Sequence, residues 1–216
     1  MTRAPPGGDP MGDYMRKSLV FTLVASAAVG AVLILGQAAR ETKAETAAKT
    51  AKNKDPKVAR GEYLVTFGGC NDCHSPKAMT DHGPVPDAAR LLSGHPVGAK
   101  LPTFRKEDMG PGKWVLFSED LTVCVGPWGV TCAANLTPDE NTGIGLWTEE
   151  MFIGALRTGK HMGAGRPIMP PMPWFNFAQA TDDDLKAVYA YLKSLPPVKN
   201  AVPAPMSLDD YAAMTK

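Results

Sequence analysis

Excess charge of either sign is missing from this chain: 23 Lys and Arg stand against 22 Asp and Glu over 216 residues, a formal net charge of +1. That balance argues against nucleic acid as a partner and leaves small molecules and proteins. Cysteine is scarce, with four in all, and only Cys70 and Cys73 lie three positions apart. A zinc site would need two further ligands at a comparable local spacing. Uncharged runs of twenty residues or more are absent too, with one exception near the start. Proline and glycine are not scarce: 20 and 21 residues exceed ordinary usage but stay below the level that signals disorder, so a loop-rich fold with short helices is expected. Length alone does not choose between one domain with accessories and two small domains.

The exceptional run is Ser18 to Gln37, twenty uncharged residues directly after Arg16 and Lys17. It is long enough to span a bilayer, and the basic flank keeps residues 1–17 in the cytoplasm and sends everything after Gln37 across the membrane. Its length favours a single-pass anchor. A cleaved signal peptide, using the small residues of "GQAA", is the alternative. Either way the expected location is the periplasmic side of a bacterial inner membrane. Residues 38–56 mix Ala, Lys, Glu and Thr with hardly a large apolar side chain and are expected to form a solvated tether. Asp55-Pro56 looks like a helix cap and first-turn pair, so the folded domain is placed at 57–198, with a loop insertion at 78–134 and a tail at 199–216. From Lys57 onward 15 basic residues meet 17 acidic ones, so the domain is not polybasic.

Cys70-Asn71-Asp72-Cys73-His74 reads C-x-x-C-H. Two thiols at this spacing can each add across one vinyl group of a haem while the adjacent imidazole reaches the iron from the same side. One such motif predicts one covalently attached haem c, with Cys70 and Cys73 as attachment points and His74 as an iron ligand. The other two cysteines, Cys124 and Cys132, flank a Gly-Pro-Trp-Gly turn signal. In an oxidising compartment the expectation for them is a disulfide closing a hairpin-like loop, with free buried thiols as the alternative.

Three helices are expected. One runs from about Pro56 to Phe67 and stops at Gly68-Gly69; a second starts at Thr148 and stops at Thr158-Gly159. The third has Thr181 as cap, Leu185, Val188, Tyr189 and Leu192 as its apolar stripe, and Pro196-Pro197 as its stop. Candidates for a second iron ligand are Met79, Met109, Met162, Met169, Met172, His82, His95 and His161. Met169 and Met172 stand in the proline-dense stretch "GRPIMPPMPWF", expected to be extended, where three residues advance about 9 Å and keep both thioethers on one side but far apart.

The N-terminal helix leading into C-x-x-C-H, a late methionine in a Pro-rich loop and an aromatic-bearing C-terminal helix together resemble a class I cytochrome c domain. More narrowly, Asn135 to His161 and Pro170 to Leu195 are similar to the cytochrome c subunits of membrane-bound alcohol, aldehyde and gluconate dehydrogenases. Those subunits typically carry three haem motifs in a row, and this chain has one. The resemblance implies a mainly α fold of short helices around the haem, with Gly61 and Tyr189 at the crossing of the first and last helices. It points to Met172, in Pro170-Pro171-Met172-Pro173-Trp174, as the second iron ligand and makes Met169 a packing neighbour. It suggests that Asn135, Thr142, Gly143, Ile144 and Gly145 frame the haem edge or a propionate, while Trp147 and Trp174 have indole N–H groups available for a propionate. The implied activity is one-electron transfer in a respiratory or photosynthetic chain, without catalysis of its own. The expected partners are redox proteins, a membrane complex or a dehydrogenase, met through an apolar patch around the haem edge. A haem enzyme of peroxidase type, or a sensor or assembly subunit with a structural haem, are the competing readings.

Overall fold

The computed structural model of the chain describes residues 55–214. The expected membrane segment and nearly all of the expected tether lie outside the described residues. Among the described residues no helix is long and apolar enough to cross a membrane.

Helix α1 (Pro56–Phe67) begins where the Asp55 carboxylate accepts the Lys57 N–H at 2.7 Å, and Pro56 occupies the first turn, where no backbone donor is needed. The Gly68 N–H closes it on the Leu64 carbonyl, and Gly69 at φ 67° turns the chain into the five-residue helix α2 (Cys70–His74). Helix α3 (Glu149–Thr158) is capped by the Thr148 hydroxyl on the Met151 N–H and ends at Gly159, whose φ of 66° is the left-handed conformation glycine adopts without strain. A short α4 (Trp174–Phe177) follows the proline-dense stretch, and α5 (Asp182–Ser194) is capped by Thr181 on the Asp184 N–H. Local signals therefore place the ends of the three main helices within a residue of expectation.

The most extensive helix–helix contact is between α1 and α5. It is so close at Gly61 that a Cβ there would lie 1.9 Å from the Ala187 carbonyl oxygen and 2.8 Å from Tyr191 Cβ. The aromatic at the crossing is thus Tyr191, which is buried, and not Tyr189. Tyr189 lies on the other flank, where its hydroxyl donates to the Trp147 carbonyl at 2.7 Å and its ring meets Phe152. The face that α5 buries is Leu185, Ala187, Tyr191 and Leu192.

The expected mainly α fold needs correction between 77 and 132. Strands β1 (Lys77–Thr80) and β2 (Gly83–Pro86) form an antiparallel hairpin, and β3 (Leu116–Phe117), β4 (Val123–Gly126) and β5 (Gly129–Cys132) form a three-stranded antiparallel sheet in that order. Pro127 and Trp128 make the two-residue turn between β4 and β5. This fixes Val123 opposite Cys132 and Cys124 opposite Thr131. Because neighbouring strand residues point to opposite faces, Cys124 and Cys132 sit on opposite sides of the sheet. The expected disulfide is not formed: both are buried free thiols.

The expected C-terminal tail is also structured. Met206 bridges to Val130 on the edge of the sheet, and α6 (Leu208–Met214) seats the buried Tyr211 against Phe104, ring centroids 4.9 Å apart. These residues, with Met109, Val123, Val125, Val130 and Cys132, make a second apolar cluster beside the main one of α1, α3 and α5. Asn200 ties the tail to the insertion, donating to the Ser93 and His95 carbonyls and accepting the Val97 N–H, all at 2.7–2.8 Å. With Asn200 buried, those bonds replace water that cannot reach them.

Candidate haem site

The main cluster surrounds a cavity of about 540 Å³, within the size range of cofactor pockets. Cys70, Cys73 and His74 enter its wall together because α2 is a single helical turn and a half, which brings positions one, four and five to one side. His74 Nδ1 lies 2.7 Å from the Ala134 carbonyl, which fixes the ring and leaves Nε2 as the nitrogen able to bind a metal. Burial lowers the His74 pKa, against a smaller opposing effect of that carbonyl, so the imidazole is neutral at physiological pH. Burial pushes the Cys70 thiol up to about 11 and raises that of Cys73, with Asp72 adding to both.

The wall behind His74 is built from the insertion. The Gly94 N–H donates to the His74 carbonyl, the His95 N–H to Ala133, and the Leu136 N–H to Leu92. The Ser75 hydroxyl accepts the Leu92 N–H at 2.7 Å, and both residues are fully buried. These bonds make the segment carrying Ala134 rigid, and through Ala134 they orient His74.

Another part of the wall comes from the segment after α3. The Ile168 N–H donates to the Gly159 carbonyl, and a Cβ on Gly159 would lie 2.4 Å from the Trp174 ring. The stretch is not extended as expected: Pro170 and Pro171 form a turn joined by a cis peptide bond. Both Met169 and Met172 line the cavity. Packing does distinguish them. Met172 belongs to the main apolar cluster, and its carbonyl accepts the Trp174 N–H at 2.9 Å.

Of the residues expected to frame the cofactor, Ile144 lines the cavity, whereas Asn135, Thr142, Gly143 and Gly145 do not. Asn135 is buried with its amide fully engaged: it donates to Thr142 and to the Val198 carbonyl and accepts twice from Thr137, so it braces loops. Trp174 packs on Gly159 outside the wall, while Trp147 lies in it, edge-on to His161 at 4.7 Å between centroids. Phe67, Leu121, Cys124, Thr131, Arg166 and Phe177 also line the cavity. Cys124 and Thr131 are there because strand register turns that face of the sheet inward, a signal absent from the residue types themselves.

The donor set fits a haem better than a bare ion. Among the described residues no group of three or more His, Cys, Asp or Glu is arranged to hold a metal by itself. The wall is largely apolar, as a macrocycle needs, yet the Thr131 hydroxyl is buried in it without a hydrogen-bond partner. Such an orphaned group marks a place where a bound molecule brings polar atoms.

The chain is 31% identical over 160 residues to the gluconate 2-dehydrogenase cytochrome c subunit of Pantoea cypripedii, covering 71% of this chain and 28% of that protein. It is 32% identical over 154 residues to the cytochrome c subunit of the quinone alcohol dehydrogenase of Gluconacetobacter polyoxogenes, covering 68% and 26%. A diheme cytochrome c-type of Cereibacter sphaeroides is 29% identical over 148 residues, covering 67% and 38%. These relatives are cytochromes c. The likeness supports an electron-transfer cytochrome and implies haem c, while the chain spans little more than a quarter of the length of the dehydrogenase relatives. No protein-family model matches the chain.

Proposed function

We propose that this chain is a monohaem c-type cytochrome, tethered on the periplasmic side of the membrane, that carries single electrons between a dehydrogenase or membrane redox complex and an acceptor. Cys70 and Cys73 would hold the haem covalently, and His74 and Met172 would be the side chains that ligate its iron. When bound, the haem would supply a one-electron change at its iron, and a thioether ligand would favour the reduced state. The observation that carries this reading is the convergence on one apolar cavity of the Cys70–His74 helix and the methionine segment from the far end of the domain.

The chain's own residues define the rest. The Ala134 carbonyl holds His74 in one tautomer and orientation, and Ile144, Phe152, Leu185 and Leu192 keep water from the cavity. Phe67 and Leu121 line the cavity yet are 81% and 40% exposed, so its rim presents apolar surface to solvent. Tyr63 stacks on Phe67 at 5.8 Å and extends that surface. A redox partner would dock there, with ionic strength mattering little because the domain is close to neutral. A membrane tether would raise the effective concentration of such a partner.

One observation favours the peroxidase-type alternative: His161 and Arg166, groups that could assist proton chemistry, both line the cavity. Carbon monoxide separates the two readings. The reduced full-length chain is expected to bind it poorly, because His74 and Met172 would both be engaged as ligands. Rapid, stoichiometric binding would favour the enzyme and sink the carrier.

A further inference from the structure

A haem brings carboxylates as well as an apolar face, and the wall described above contains few groups that could receive them. Among the described residues Arg166 is the only Lys or Arg lining the cavity. It forms no ion pair with a described carboxylate, and its recorded side-chain hydrogen bond runs from Nη1 to the carbonyl of the adjacent Pro167 at 3.3 Å. A guanidinium has five N–H donors in a planar fork suited to carboxylates, and most of those of the exposed Arg166 are not taken up by described protein groups. The two carboxylates in the same wall do not claim it: Asp184 is bonded to Arg60 at 3.0 Å, and Asp72 stands on the Cys70–His74 helix.

Arg166 is also held in place. The His161 N–H donates to the Arg166 carbonyl at 2.9 Å, the Gly165 N–H donates to the His161 carbonyl at 2.8 Å, and Lys160 bridges to Pro167 across the base of the loop. The Thr158 hydroxyl adds a bond to the Gly163 carbonyl at 3.0 Å. A loop closed by this many backbone bonds fixes the main chain from which the exposed Arg166 side chain reaches the cavity rim.

We propose that Arg166 is the cationic contact for a haem carboxylate, with His161 and Trp147 forming the adjoining wall. This rests on the haem reading above. A positive charge beside the haem stabilises the added electron and raises the reduction potential. Arg166→Gln is expected to shift the ratio of reduced to oxidised protein about tenfold at fixed ambient potential, about 59 mV downward for a one-electron couple. Arg166→Lys keeps the charge and restores most of the shift. Lys160→Gln removes a neighbouring exposed cation that does not line the cavity and leaves the potential unchanged. The carboxylate bands in the redox-difference infrared spectrum move in Arg166→Gln alone. An unchanged potential in Arg166→Gln with haem attached overturns the proposal, as does an equal shift in Lys160→Gln. Absence of attached haem from the wild-type chain defeats the haem reading itself, so the two failures are distinguishable.

Discussion

Met172→Ala is expected to abolish the low-spin spectrum of the haem protein and to open the iron to carbon monoxide in the reduced state. The expectation follows from Met172 being packed against the main cluster while lining the same cavity as the Cys70–His74 helix. Loss of a soft thioether also removes a preference for ferrous iron, so the potential should fall by more than about 59 mV, a tenfold change in the redox ratio. Met169→Ala is the necessary comparison because Met169 lines the same cavity. It should keep the low-spin spectrum and lose only a packing contact. The reverse pattern, an unchanged Met172→Ala and an altered Met169→Ala, would move the ligand assignment to Met169.

The largest effect on stability is expected at Gly61. Glycine-to-alanine changes inside a helix ordinarily gain about 1 kcal/mol. Here the added methyl group would meet the backbone carbonyl of Ala187 at 1.9 Å, and neither helix backbone can yield as a flexible side-chain end would. Overpacking of this kind costs about 1–3 kcal/mol and sometimes more, so it outweighs the propensity gain. Denaturant unfolding of the full chain should show Gly61→Ala destabilised by about 2 kcal/mol and Gly61→Val by more than Gly61→Ala. Unchanged stability in both variants would mean that α1 and α5 do not cross this closely.

Helix ends and the attachment motif are legible in the sequence because their causes are local. A cap such as Asp55 or Thr181 binds an N–H two or three residues away, and Cys70, Cys73 and His74 share one short helix. Contacts made at long range are less legible. Cys124 and Cys132 flank a turn, but only the hairpin register shows that they face opposite ways. Tyr189 and Tyr191 are both aromatics on α5, and which one meets Gly61 depends on the rotation of that helix against α1. The structured tail is anchored by Asn200 and Tyr211 to partners a hundred residues earlier, beyond the reach of any local pattern. Asn135 illustrates another limit. Its side chain has the chemistry to bind a cofactor, but neighbouring loop groups already use all of its hydrogen bonds.

Haem attachment as proposed consumes Cys70 and Cys73 and leaves Cys124 and Cys132 as separate thiols. Mass measurement of the unfolded, unreduced chain from cells able to attach haem, combined with thiol titration, tests this. The mass should exceed that of the polypeptide by one haem, with two titratable thiols that disappear in a Cys124→Ser, Cys132→Ser double variant. A chain that sheds its haem on unfolding and exposes four thiols would rule out covalent attachment through Cys70 and Cys73.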